Sequence, residues 1–198
     1  MILVAGGTGT LGSQVVRLLL ERGDRVRVLT RDSARAAHLP NAVDVLTGDL
    51  RDPAAVAAAV RGCATVVSAV HGFVGPGKPS PEAIDRDANI ALIRAAAAAG
   101  VQHLVLVSVL GAAPDHPMSL HRAKHAAEQA LRASGYEPHH IASGGASDAN
   151  ALEAAGFTCV NLANGTERNH EPTERVSIAA LEGMLDVALA LLDEAAAV

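Results

Sequence analysis

Tryptophan is missing from the 198 residues, and only three aromatic side chains occur: Phe73, Tyr136 and Phe157. A core here cannot rest on aromatic packing, and in a chain that is 49% hydrophobic it must be built from Ala, Val, Leu and Ile. Basic charge is also scarce: 16 Lys and Arg stand against 21 Asp and Glu, a formal net charge of −5. That balance forms no basic face and excludes nucleic acid as an expected partner. No apolar run reaches the ~20 residues that span a bilayer, so no membrane partner is expected. Cysteine is limited to Cys63 and Cys159, each in or beside an expected strand. They read as small buried apolar residues in a reducing cytosol, with no disulfide or metal pairing. The N-terminus lacks the charged and apolar regions of a signal peptide, and a cytoplasmic location is expected.

Strand and helix patterns, by contrast, alternate through the first half. Apolar runs predict strands at 2–5, 25–30, 43–47, 65–70 and 103–109. Helical spacing predicts helices at 11–22, 33–38, 52–60, 82–99 and 120–134, several closed by Gly23, Gly100 or Gly135. Asp52-Pro53 makes a good cap with proline in the first turn. Strands separated by helices require crossover connections, hence a mostly parallel sheet. Continuous apolar runs such as "HLVLVSV" fit strands covered on both faces. The expected fold is therefore α/β: a three-layer α/β/α sandwich, Rossmann-like and doubly wound, in one domain. After Gly135 the pattern is less regular. It predicts a short strand at 138–143, a helix at 148–155, a strand at 157–162, a polar loop at 164–173 and a long helix at 177–197.

Gly6, Gly9 and Gly12, three apart, lie between the first strand and the first helix. A tight turn needs one glycine, close approach of backbone to a pyrophosphate another, and helix–strand packing the last. The following helix start offers unpaired N–H groups to phosphate. The pattern predicts a dinucleotide held by Gly6, Thr8, Gly9, Thr10 and Leu11. At the end of strand two stands "LTRD", where an NAD site usually carries a carboxylate for the ribose. Arg31 there favours a 2′-phosphate, hence NADP. Asp32 beside it could neutralise Arg31 or contact a hydroxyl itself, and NAD remains the alternative. Asp49 and Leu50 in "TGDLRD" fall on the adenine side, and Ala69 in "SAVHG" on the ribose side. His71 is either polar lining of the same crevice or a solvated loop side chain.

The segments "ILVAGGTGTLGSQVVRLLLERGDRVRVLTRD", "VLTGDLRDP", "LVLVSVLGA" and "HRAKHAAEQALRASG" resemble the atypical short-chain dehydrogenase/reductases, in their NmrA-like, NAD(P)H-binding branch. The resemblance covers residues 1 to about 135. It implies a Rossmann domain binding NAD(P)(H) in a group that holds quinone reductases and regulators that bind without turnover. Reduction in that family generally uses a Tyr with a Lys four residues later. Lys124 is present, but Leu120 holds the tyrosine position, and His121 is turned about 100° away along the helix. Ser108 matches the family's serine. Ser108 and Lys124 are thus the candidate catalytic residues of an incomplete set.

From residue 136 the sequence resembles instead the C-terminal end of M20-type zinc peptidases. "GGASDAN" at 144–150, "FTCVNLANG" and His170 carry that likeness. His170 matches a metal ligand there, but its partner ligands are absent, so no metal site and no peptidase activity are expected. Two unrelated α/β halves suggest a recombined or engineered chimera, with natural fusion as the alternative. The expected function is an NAD(P)-binding scaffold without turnover; the alternative is an NADPH-dependent reductase of a quinone or carbonyl substrate.

Overall fold

Five strands lie side by side in one parallel sheet, in the order β3-β2-β1-β4-β5. They are β1 (Ile2–Ala5), β2 (Val26–Thr30), β3 (Asp44–Thr47), β4 (Thr65–Ser68) and β5 (His103–Leu106). The helices are α1 (Thr10–Glu21), α2 (Pro53–Val60), α3 (Asn89–Ala98), α4 (Ser119–Ala133) and α5 (Ile178–Ala196). This computed structural model describes residues 1–72, 79–141, 152, 155–156, 159, 165–168 and 173–196. The chain divides into two compact units, Met1–His140 and Ile141–Val198.

Alternation along β1 decides the layers of the first unit. Leu3 and Ala5 face one side, where they pack with Val56, Ala59 and Val60 of α2 and Leu92 and Ala96 of α3. Val4 faces the other, with Val16 of α1 and Val26 and Val28 of β2. Leu3, Val4, Val16, Val28, Leu92 and Ala96 are all fully buried, and none is aromatic. A third cluster joins Ile93 of α3 to Ala127 and Leu131 of α4. Helices cover both faces of a parallel sheet, which is the Rossmann-like α/β arrangement expected.

Local signals act as expected. Asp52 caps α2, its Oδ1 accepting from Ala54 N at 2.9 Å, with Pro53 in the first turn. The 33–38 segment is a 3-10 turn over Ser33–Ala36, with Asp32 as its cap.

Three expectations are corrected. β4 and β5 end at Ser68 and Leu106, short of the expected Val70 and Val109. β1 turns away after Ala5, so beyond Ala69, whose N–H donates to Ala5 O, β4 has lost its neighbour on that side. Among the described residues β5 pairs only with β4, and it ends with it. The expected helix at 82–99 is two pieces: a π-helical stretch, Glu82–Ala88, leads into α3. Of the strand expected at 138–143, the described residues 138–141 form none, with His139, His140 and Ile141 exposed and, among the described residues, no sheet partner beside them; 142–143 lie outside the described residues.

In the second unit Glu167 and Arg175 face each other across an antiparallel bridge and form an ion pair at 2.7 Å. α5 starts at a serine cap, Ser177 Oγ accepting from Ala180 N at 3.1 Å. The expected helix at 148–155 and strand at 157–162 fall mostly outside the described residues, as do Phe73, Phe157, His170 and the 144–150 loop. Among the described residues, no helix is long and apolar enough to cross a membrane.

Candidate functional site

β1 delivers the chain into a turn that only glycine can make. Gly6 has φ +84, and a Cβ on it would stand 2.6 Å from Ala69 O. The turn closes with Gly9 N donating to Gly6 O at 2.9 Å. Gly12, in the first turn of α1, passes so near that a Cβ would lie 2.1 Å from Gly6 O. Gly9 is the N-cap of α1 and supplies no capping side chain. The first amides of α1 therefore lack the usual side-chain acceptor and face the mouth of the turn with the helix dipole behind them. A phosphate group fits such a cradle.

The carboxyl end of β2 adds positive charge. Asp32 turns its carboxylate onto the backbone of the next turn, Oδ1 accepting from Ala34 N at 2.9 Å, and Thr30 Oγ1 donates to Asp32 O. Asp32 is thus used as a cap. Arg31 and Arg35 both line the cleft beside Gly48 and Asp49. Asp49 bonds Arg51 at 2.6 Å. That bond, with a smaller pull from Arg31, holds the Asp49 carboxyl down to about 2 from the usual 3.8. Because the folded value is depressed, the stabilisation is complete above the unfolded value and is lost as pH falls toward 2. Asp49→Asn is expected to cost about 1 kcal/mol at neutral pH, the pair being partly open to water. Urea unfolding of variant and parent should show that difference closing between about pH 4 and pH 2.

At the other end of the cleft the ends of β4 and β5 are held by a buried ion pair. Lys124 Nζ lies 2.9 Å from Asp85 Oδ1, with the two side chains 6% and 0% exposed. The same ammonium donates to Val107 O at 2.8 Å and Val70 O at 3.3 Å. The ammonium is thus held by one ion pair and two carbonyl bonds, from three parts of the chain. Asp85 Oδ2 accepts from Gly72 N at 2.7 Å, and its Oδ1 lies 3.5 Å from His71 Nδ1. The π-helical stretch sets Asp85 in place. Asn89 Nδ2 bonds the carbonyls of Ile84 and Asp85, and its Oδ1 accepts from Ser68 of β4. Ser108 Oγ donates to Glu128 on α4. Leu120, one turn before Lys124, lines the cleft, whereas His121 is buried and stacks on His116. The chain's one tyrosine, Tyr136, lies elsewhere, its hydroxyl bonded to Val101 O at 3.0 Å and its pKa raised by burial.

Gly6, Thr8, Gly9, Thr10, Leu11, Arg31, Asp49, Leu50, Ala69, Ser108 and Lys124 all line one cleft of about 630 Å³ at the carboxyl edge of the sheet. The sequence reading missed Arg35 and Asp85. A signal for Asp85 exists: Asp85 and Asn89 share the helical stripe of Leu92 and Ala96, and two polar groups on a buried stripe need partners.

Comparison with known proteins gives the context. A family model described as NAD(P)H-binding matches residues 6–182. The NAD(P)H azoreductase of Xenophilus azovorans is 42% identical over 136 residues, 68% of this chain and 44% of that protein. A photosystem II assembly factor of Cyanophora paradoxa is 32% identical over 139 residues, 68% of this chain and 42% of its own. The chain spans less than half the length of these relatives. An Escherichia coli NADPH-dependent quinone oxidoreductase, solved with NADPH, aligns at TM-score 0.55 and 27% identity over 68% of this chain and 46% of that one. The Citrobacter triphenylmethane reductase solved with NADP(H), at TM-score 0.55 and 24% identity over 67% and 45% of the two chains, shares the fold.

Proposed function

The chain belongs to the NAD(P)H-binding family, and from that premise we propose that it works as an NAD(P)H-dependent reductase of a quinone, azo or related carbonyl acceptor. The observation that carries this reading is a single cleft joining the glycine turn to the Ser108–Lys124 end. Gly6, Thr8, Gly9, Thr10 and Leu11 hold the pyrophosphate through backbone amides. Asp49, Leu50 and Ala69 flank the adenine and its ribose. Arg31, joined by Arg35, takes a 2′-phosphate, which makes NADPH the preferred form over NADH. The reduced dinucleotide supplies a hydride when bound. Lys124 acts here as a positioning residue, because its ammonium is committed to Asp85 and two carbonyls. The similarity to an azoreductase and to a quinone oxidoreductase supports the acceptor class.

NADPH oxidation against a panel of quinones and azo dyes tests the reading, and absence of turnover for every acceptor overturns it. Arg31→Ala should weaken NADPH binding by about 10- to 100-fold in calorimetry, the worth of one or two charge-assisted bonds. NADH binding should stay near its parent value. Equal losses for both dinucleotides would remove the 2′-phosphate role.

Binding without turnover is the second reading, favoured by Leu120 in place of a tyrosine and by the engagement of Tyr136 outside the cleft. A recombined origin for residues 136–198 is a separate proposal that rests on the peptidase resemblance alone. A cytoplasmic setting belongs to the same proposal as the reductase reading, since reduced dinucleotide is its co-substrate.

A further inference from the structure

Ser108 lines the cleft at the same end as Lys124, and its hydroxyl has one proton to give. That proton goes to Glu128 Oε1 on α4. A carboxylate can only accept, so its chemistry fixes the direction of the bond. Such a charge-assisted bond is about twice as strong as a neutral one, and a neutral carbonyl in the cleft is the weaker acceptor. What Ser108 presents to the cleft is therefore its remaining lone pairs. The backbone beside it is held as well: Lys124 Nζ donates to Val107 O at 2.8 Å, and Val107 N donates to Ser68 O at 3.0 Å. Lys124 and Glu128 stand four residues apart on α4, so one helix face fixes both the carbonyl of Val107 and the hydroxyl of Ser108. Leu120, a turn before Lys124 on that face, has no polar side-chain atom to add.

We propose that Ser108 selects acceptors that carry a free phenolic O–H, which donates to its Oγ, and that Glu128 is the positioning residue that makes Ser108 an acceptor; the proposal deepens the reductase reading above and rests on it. The bonds then run from ligand O–H to Ser108 Oγ and from Ser108 O–H to Glu128. Both donors point toward the negative charge, so each bond polarises the other in its favour. An aryl ether in the same place has no proton. It turns its own lone pairs toward those of Ser108 and leaves the serine unpaired once water is displaced. Ser108 thereby reads a substituent of the acceptor and lies outside the proton transfer that completes the reduction.

Two dyes that differ in that one proton test this: 4-hydroxyazobenzene and 4-methoxyazobenzene, titrated into the full chain saturated with NADP+ and followed by dye absorbance. The parent should bind the hydroxy dye about 5- to 10-fold more tightly, the worth of one net hydrogen bond. Ser108→Ala should bring the ratio below about twofold. Glu128→Ala should do the same, because the freed hydroxyl can turn its proton to the methoxy oxygen. In NADPH-driven reduction the change should appear in the ratio of KM values, with the ratio of kcat values moved less than about twofold, a split that general loss of structure does not give. A parent ratio near one, or a ratio that Ser108→Ala leaves unmoved, overturns the proposal. A ratio lost in Ser108→Ala but kept in Glu128→Ala overturns the part given to Glu128. NADPH binding weakened more than about threefold in Ser108→Ala, with the dye ratio unmoved, assigns the lone pairs to the dinucleotide instead and overturns the proposal. A parent that shows the binding preference yet oxidises NADPH with no acceptor overturns the reductase reading alone. A parent that binds neither dye overturns the proposal, and turnover of a quinone would then keep the reductase reading.

Discussion

Gly12→Ala should abolish measurable dinucleotide binding and lower the stability of the first unit by about 2–3 kcal/mol, the range of an overpacked site that cannot relax. The added Cβ would stand 2.1 Å from Gly6 O, 2.7 Å from Gly6 C and 2.8 Å from Gly7 Cα. All three are backbone atoms, so no side chain can swing aside. Gly6 has little room to retreat toward β4, where even a Cβ built on it would stand 2.6 Å from Ala69 O. The only relief is to push the turn or α1 outward, which moves the amides that hold phosphate. Gly23→Ala is the control. Unlike Gly12 it sits at positive φ, +83, but its Cβ would meet nothing within 4 Å. It should cost about 1 kcal/mol in backbone strain and leave binding intact. Urea unfolding and NADPH calorimetry on both variants separate collision from strain. Gly12→Ala binding within about tenfold of the parent would mean that the turn does not carry the phosphates.

Much of this was legible because it is local. The Gly6-x-x-Gly9-x-x-Gly12 spacing acts within one strand–turn–helix unit, and β1 spans the residues expected, 2–5. Asp52-Pro53 acts within four residues of itself, and Asp52 caps as read. What was not legible depends on neighbours far along the chain. β4 stops at Ser68 because β1 departs, and nothing in "TVVSAV" itself says so. The π-helical stretch answers a buried bond between Asn89 and Ser68, 21 residues apart. Arg35 enters the cleft because the turn capped by Asp32 is short, a matter of one hydrogen bond. Lys124 was read through its sequence distance from Leu120, but its position is decided by Asp85, Val70 and Val107. β5 shows the same limit. A run read as covered on both faces leaves Val105 52% exposed, on the side where Val67 and Val4 are buried under α1.

The Lys124–Asp85 pair yields the largest stability effect. Lys124→Met keeps the length of the side chain but leaves Asp85, fully buried, without its cation. Breaking one side of such a pair costs about 3–5 kcal/mol, because the remaining charge stays desolvated. Asp85→Asn is milder on the Gly72 side, since the amide oxygen can still accept from Gly72 N, but it strands the ammonium with two carbonyls. It should cost about 2–4 kcal/mol. The double variant removes both charges and should be more stable than the sum of the singles predicts by about 2 kcal/mol. Urea midpoints of the four proteins give the cycle directly. Additivity within about 0.5 kcal/mol would show that the two groups do not act as a pair. The physical point is that this pair ties the divergent ends of β4 and β5 to the π-helical stretch and α4, so the cleft stays open between strands that no longer bond each other. A loss of NADPH affinity in the double variant, with its stability largely restored, would then report the geometry of that opening rather than unfolding.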